Sequence, residues 1–172
     1  FYKPCLFLCY AYFLLETIGS IGLGAMGGSY AFHLLNEGYK VLGLDPDIKN
    51  SNKFSKYGGV IVNNIKDLLY KSDVVILSLP TVPIFKKIID DIINNYDGLD
   101  AKILIDMNTI SLEDKFKAKH QLNKLNIEMI DAPVSGTGAQ AKTKDLVIMS
   151  SGSKESISYC EKIFLSLSLI HI

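Results

Sequence analysis

Three glycines with the spacing GxGxxG, at Gly22, Gly24 and Gly27, stand between an apolar run and a segment with helical periodicity. This pattern can hold a diphosphate, because the first glycine permits a tight turn, the second leaves room for an anion and the third allows close packing of helix and strand. The backbone N–H groups and the dipole at the helix start would then bind the negative charge. The predicted cofactor-binding loop consists of Gly22, Leu23, Gly24, Ala25, Met26 and Gly27.

An aspartate, Asp45, ends the next apolar run, 18 residues after Gly27. A carboxylate at this point of a nucleotide-binding unit accepts hydrogen bonds from the adenosine ribose hydroxyls. It would repel a 2′-phosphate, and the chain contains no arginine that could neutralise one, so NAD is favoured over NADP. The alternative is a glycine turn beside an incidental surface aspartate, which the order strand, triplet, helix and acid disfavours.

The composition is that of a globular protein without a dominant charge. The 172 residues suffice for one α/β domain, and 48% of them are hydrophobic. Eighteen acidic residues balance eighteen basic ones, so no overall field attracts nucleic acid or an anionic membrane. The three cysteines form no CxxC pair, so we expect neither a metal site nor a disulfide scaffold, and a cytoplasmic location fits best.

Predicted strands and helices alternate along most of the chain, which indicates an α/β fold with a doubly wound, mostly parallel sheet and helices on both faces. Between strands two and three we predict only a polar connection. Ser111, with Asp114 three residues later, predicts a helix cap. The predicted strands are 17–22, 40–45, 59–63, 73–80, 101–108, 127–133 and 145–152, with a further strand beginning near residue 167. The predicted helices are 25–38, 64–72, 82–96, 112–126 and 154–167.

Three segments, "IGLGAMG", "IDMNTIS" and "DAPVSGTGAQAKTKDLVIMSSG", occur in that order and resemble motifs of the β-hydroxyacid dehydrogenases, the family of 3-hydroxyisobutyrate dehydrogenase and tartronate semialdehyde reductase. The resemblance covers residues 17–172. It implies a Rossmann-type NAD(P)-binding domain of an oxidoreductase that transfers hydride between a nicotinamide cofactor and a small 3-hydroxy acid. It also places Leu79, Pro80 and Thr109 beside the cofactor and Ser135, Gly136 and Thr137 at the substrate carboxylate.

The chain departs from the family pattern at several matching positions. Thr137 stands where the family usually has a second glycine, and because a β-branched residue resists positive φ, we expect a reshaped loop with Gly138 compensating. Asn108 replaces the usual serine, and Ile84 stands where some members have a cofactor-contacting asparagine. Tyr30 replaces a common methionine on the first helix.

The first 16 residues differ in character from the rest of the sequence. Residues 1–16 form an apolar extension of uncertain status, whose apolar run of residues 5–15 is too short to span a bilayer. It is a non-native extension, a targeting or anchoring segment, or an additional packed element, and membrane association is not expected. Residues 17–172 are predicted to form the dinucleotide-binding domain.

The resemblance implies a catalytic lysine and an all-helical domain beyond Ile172, and homo-oligomers in full-length relatives. No catalytic residue is therefore assigned in this chain, and we expect negligible turnover, because a positioned acid or base typically contributes about 10²- to 10⁴-fold in rate. Lys142 and Lys144 lie near the substrate loop in sequence, but surface solvation is their expected role. The alternative function is a stand-alone, non-catalytic dinucleotide-binding module or partner subunit.

Overall fold

A computed structural model of the chain describes residues 16–96 and 102–171. Six parallel strands form its main sheet, in the spatial order 3-2-1-4-5-6. These strands are β1 (Thr17–Ile21), β2 (Lys40–Leu44), β3 (Val60–Ile61), β4 (Val74–Leu77), β5 (Lys102–Asp106) and β6 (Ile127–Asp131). The order reverses between β1 and β4, and in such sheets ligands bind beyond the carboxyl ends of the strands at this point.

Helices cover both faces of the sheet. They are α1 (Gly27–Asn36), α2 (Ile48–Lys56), α3 (Ile65–Lys71), α4 (Val82–Asn95), α5 (Leu112–Asn123), α6 (Gly138–Ala141) and α7 (Lys154–Leu167). Successive side chains of β4 point to opposite faces, so Ile76 packs in one core with residues of α1 and α7, while Val75 packs in a second core with residues of α3, α4 and α5. All four β4 residues are buried, as a central parallel strand requires. The predicted doubly wound fold is confirmed.

A second, three-stranded sheet lies outside the main one. Its strands are β7 (Val134–Ser135), β8 (Val147–Ile148) and β9 (Ile170–His171), with β7 antiparallel and β9 parallel to β8. The predicted strand over 145–152 is therefore a strand only at Val147–Ile148. It contacts the main sheet through a single antiparallel bridge, between Ser151 and Asp131 at the end of β6. Pro133 follows β6 and has no N–H to continue a ladder, so the chain leaves the main sheet there.

The predicted polar connection after β2 is wrong, because residues 48–56 form α2. The Asp47 side chain caps this helix by accepting a hydrogen bond from the Lys49 N–H at 2.8 Å. The helix buries only Ser51 and Phe54, so its apolar periodicity is too sparse to be recognised in the sequence.

The predicted helix 154–167 is confirmed at both ends, and so is the Ser111 cap, whose hydroxyl accepts from the Asp114 N–H at 3.2 Å. The helix that Ser111 caps ends at Asn123 and not at residue 126, where the backbone adopts a positive φ of 55°. Within the described ranges, none of the helices combines the length and apolar character needed to cross a bilayer. Of the predicted extension 1–16, residues 1–15 lie outside the described residues.

Candidate functional site

The turn after β1 is shaped by two glycines. Gly22 has a φ of +90°, and a Cβ there would lie 2.1 Å from the carbonyl oxygen of Ser78. Gly27 begins α1, and a Cβ there would lie 2.0 Å from the carbonyl oxygen of Gly22. Contacts this short involve rigid backbone, so both positions require glycine, and α1 starts in direct contact with the turn.

The glycine between them, Gly24, faces open space. It is exposed, and a Cβ at this position would meet no heavy atom within 4 Å. Across the part of the chain that the structure describes, the backbone N–H groups of residues 24–27 donate no hydrogen bond. Unpaired N–H groups at a helix start form an anion site, so this loop has both the donors and the space that a diphosphate needs.

Asp45 follows β2 directly and is held against the glycine loop. Its Oδ2 accepts a hydrogen bond from the Leu23 N–H at 2.6 Å, and its Oδ1 accepts from the Asp47 N–H at 2.8 Å. The Asn50 amide also donates to both oxygens at 3.3 Å. The carboxylate is half-buried and fixed in orientation. Its four contacts match the roughly four lone-pair sites of a carboxylate, so a sugar hydroxyl would bind by displacing one of the long contacts from Asn50.

These features together fit a bound dinucleotide. The loop offers unpaired N–H donors and an opening at Gly24, while Asp45 offers an oriented acceptor beside them. The predicted residues Leu23, Ala25 and Met26 lie in this loop; Leu23 is buried in the core, Ala25 is exposed and Met26 is partly buried.

Two further loops, after β4 and β5, lie at the same edge of the sheet. They carry Leu79, Pro80 and Thr109, of which Leu79 is half-buried and the other two are exposed. Asn108 joins these loops, because its Oδ1 accepts a hydrogen bond from the Leu79 N–H at 2.6 Å. The structure therefore brings these three predicted residues to one region, and the asparagine that departs from the family pattern connects them.

An ionic cluster lies beneath these loops and consists of the buried Asp106 and Lys115 and the half-buried Asp131. The Lys115 ammonium on α5 donates to Asp131 Oδ1 and, at 2.7 Å, to the carbonyl oxygen of Asn108. It lies 3.5 Å from Asp106 Oδ2. Burial raises the pKa of the Asp106 carboxyl, an effect that the Lys115 charge and the Asn108 hydrogen bonds only partly oppose. Sequence reasoning missed this cluster, although both carboxylates end apolar strands in adjacent register.

The predicted substrate loop follows β6. Ser135, Gly136 and Thr137 are all exposed, and the positive φ, +147°, falls on Gly136. Thr137 has a φ of −107° and caps α6, with its hydroxyl and the Gln140 side chain forming a capping box. Thr137 therefore does not need the positive φ that a β-branched residue resists, and threonine suits this cap. Of the other departures, Ile84 is 40% exposed on the first turn of α4, and Tyr30 is buried in the core.

Helix α6, which begins within this loop, is fastened to α1. The buried His33 Nε2–H donates to the Ala141 carbonyl oxygen at 2.8 Å, and since a carbonyl only accepts, this nitrogen carries the hydrogen. Lys144, beyond α6, forms an ion pair with Glu37 at 2.7 Å. The scattered positions of the three histidines predict surface or half-buried side chains, and for His33 this prediction is wrong, because its side chain is buried. The glycine loop and the predicted substrate loop are thus both connected to α1.

Comparisons with known proteins identify the family and the fold. The family model for the NAD binding domain of 6-phosphogluconate dehydrogenase matches residues 17–170. A probable mitochondrial 3-hydroxyisobutyrate dehydrogenase of Dictyostelium discoideum is 28% identical over 151 residues, covering 83% of this chain and 45% of the relative. The 2-(hydroxymethyl)glutarate dehydrogenase of Eubacterium barkeri is 32% identical over 160 residues, covering 89% and 50%.

A solved structure shows the same architecture. The 3-hydroxyisobutyrate dehydrogenase of Mycobacterium tuberculosis, determined with L-serine, superposes with a TM-score of 0.87 at 25% identity, covering 92% of this chain and 54% of that one. The chain thus spans about half the length of the curated relatives it matches. With the glycine loop, the aspartate after β2 and a family match over nearly the whole sequence, the chain belongs to the family defined by the NAD binding domain of 6-phosphogluconate dehydrogenase.

Proposed function

We propose that this chain binds NAD, in preference to NADP, as the cofactor domain of a dehydrogenase acting on a small 3-hydroxy acid. The observation that carries the proposal is the hydrogen bond from the Leu23 N–H to Asp45, because it orients a carboxylate beside the open, donor-lined loop at Gly24. The relatives named for 3-hydroxyisobutyrate and 2-(hydroxymethyl)glutarate support the substrate class.

The preference for NAD rests on charge. Asp45 and Asp47 follow β2 within three residues, and both side chains are fixed by backbone hydrogen bonds. A 2′-phosphate beside them would face two negative charges. The chain has no arginine to neutralise it, so binding of NADP would lose the bidentate contact that usually compensates.

The chain's own residues bind and orient in this proposal. A bound nicotinamide supplies the hydride acceptor. Ser135 offers a hydroxyl and Gly136 a backbone N–H to a substrate carboxylate, a reasonable donor set in a protein without arginine. The bonds from α1 to α6 hold this loop at a fixed distance from the glycine loop.

Proton transfer is the step for which we assign no residue in this chain. Lys144 is paired with Glu37, and Lys142 is exposed, so neither is held against the substrate loop by a bond in the described ranges. Oxidation of an alcohol needs a group that takes the hydroxyl proton. We therefore expect this chain to bind cofactor and to form no measurable NADH from NAD and 3-hydroxyisobutyrate.

Fluorescence titration with NADH and NADPH tests the proposal. The chain should bind NADH more tightly than NADPH. Asp45→Asn should weaken NADH binding and reduce the difference between the NADH and NADPH affinities. Asp90→Asn is the matched control, because Asp90 is an exposed acid on α4 and its loss changes the net charge equally. Absence of NADH binding by the folded chain, or equal affinity for both cofactors, would contradict the proposal.

A further inference from the structure

We infer that Lys115 is a positioning residue that fixes the loops around the nicotinamide end of the cofactor site, an inference that rests on the proposed function. Its ammonium group is the point at which two loops and one helix meet. The side chain of Lys115 is only 7% exposed, so it lies beneath the site and not in it.

A continuous set of bonds leads from Lys115 to the loop after β4. Lys115 holds the carbonyl oxygen of Asn108, and the Asn108 amide donates to Asp106 Oδ1 at 2.6 Å. The other end of the same amide accepts from the Leu79 N–H at 2.6 Å. The orientation of the Asn108 side chain, and with it the position of Leu79, therefore depends on Lys115 and Asp106.

The same ammonium group also holds the start of the substrate loop. It donates to Asp131, the last residue of β6, four positions before Ser135. Thr109 lies between Asn108 and the helix that carries Lys115, so the loop containing it is anchored at both ends. One buried cation thereby connects the three segments that we place around the nicotinamide and the substrate.

Stability alone does not account for this arrangement. Burying Lys115 and Asp106, next to the half-buried Asp131, requires desolvation that their attraction only partly offsets, and apolar replacements of buried ion pairs are often as stable. In the described part of the chain, Asp106 Oδ2 is buried without a hydrogen bond, and Lys115 is 3.5 Å away. A cluster with this unsatisfied oxygen is poorly suited to stabilise the fold, which favours a role in positioning the loops.

Binding of two ligands separates positioning from general stability. NADH reaches both ends of the cofactor site, whereas ADP-ribose lacks the nicotinamide. In Lys115→Met, NADH affinity should fall about tenfold, within the range that substitutions away from a ligand produce, while ADP-ribose affinity stays within about twofold. Lys117→Met is the matched control, because Lys117 lies on the same helix and pairs with Glu113 on the exposed face.

A second variant keeps the test decisive if Lys115→Met does not fold. Lys115→Met combined with Asp106→Asn removes the buried charge that would otherwise be left unpaired, and the substituted amide oxygen still accepts from the Asn108 N–H. This double variant should show the same selective loss of NADH affinity. In the ligand-free double variant, hydrogen exchange at the Leu79 amide should be about tenfold faster than in the parent chain.

Equal losses for NADH and ADP-ribose, or no loss for either, in the folded double variant would overturn the role of Lys115. If the parent chain bound neither ligand, the proposed function itself would fail, and this inference with it. If the parent chain bound ADP-ribose and NADH with equal affinity, the nicotinamide would contribute nothing to binding. There would then be no nicotinamide contact for Lys115 to position, and the inference would again be overturned.

Discussion

Substituting alanine at two glycines of the same loop should separate cofactor binding from stability. At Gly24 a Cβ meets no heavy atom within 4 Å, and the residue has no positive φ. Gly24→Ala should therefore leave the free energy of unfolding unchanged or raise it by up to about 1 kcal/mol, through the reduced entropy of the unfolded chain. The new methyl group would, however, fill the opening through which a diphosphate approaches the N–H donors.

The expected loss of binding follows from the donors that become inaccessible. A hydrogen bond to a charged group is worth about 1.5–3 kcal/mol, so losing one such bond should raise the Kd for NADH about 10- to 150-fold. ADP-ribose, which contains the same diphosphate, should lose affinity to a similar extent.

Gly27→Ala, in contrast, should lower the free energy of unfolding. A Cβ there would lie 2.0 Å from the Gly22 carbonyl oxygen, whereas real contacts require at least 3.0 Å, so α1 must move by about 1 Å from the turn. Overpacking costs about 1–3 kcal/mol where side chains can adjust, and because the opposing atom is backbone we expect about 3 kcal/mol.

Urea unfolding followed by circular dichroism gives the stabilities, and NADH fluorescence gives the affinities. The reasoning would be refuted if Gly24→Ala bound NADH with the affinity of the parent chain. It would also be refuted if Gly27→Ala unfolded at the parent's urea concentration.

Three further predictions concern charge and burial. Asp47→Asn keeps the oxygen that caps α2 but removes one exposed charge, so NADPH affinity should rise about 1.5- to 5-fold in a fluorescence titration, with stability unchanged. Burial raises the pKa of the Cys160 thiol to about 12, so iodoacetamide should label its peptide in the urea-unfolded chain and not in the folded one, as read by mass spectrometry. Burial raises the pKa of Glu128, but hydrogen bonds from Ser156 and Ser153 outweigh this and hold it below its usual 4.5. Its stabilising effect is present above that value and is lost on acidification, so the urea-midpoint difference between the parent chain and Glu128→Gln should shrink from about pH 6 to about pH 3.

Each of these predictions has an outcome that contradicts it. Unchanged NADPH affinity in Asp47→Asn would show that this carboxylate does not face the 2′ position. Rapid labelling of Cys160 in the folded chain would show that α7 opens readily. A pH-independent difference for Glu128→Gln would show that the hydrogen bonds do not favour the ionised carboxyl.

The sequence predicts the main sheet well where local signals and burial agree. The β4 segment is apolar at every position because both of its faces are covered, and α7 is recognised because its apolar residues recur at helical spacing. Helix α2 is missed because it packs through little more than Phe54, although Asp47 and Gly58 provide the usual start and stop signals. The capping box of α6 is visible as T-x-x-Q but was not recognised.

The site is predictable only in its backbone part. Glycine spacing reports directly on turns and close approaches, so the loop at residues 22–27 could be placed from the sequence. The Lys115 cluster could not, since a lysine on a polar helix is normally exposed and its burial depends on how α5 packs against β6. The burial of His33 is likewise not predictable from the sequence, because the contact of α1 with α6 joins residues 108 positions apart.

Because α6 is bonded to α1, the number of residues in α1 cannot change without breaking these contacts. Gly27 at one end meets the turn, and His33 and Glu37 toward the other end hold the chain around α6. Inserting a single residue between them would rotate the second half by about 100° and turn both side chains away from their partners. Evolution can therefore vary the composition of this helix freely on its outer surface, but insertions and deletions within it should be excluded.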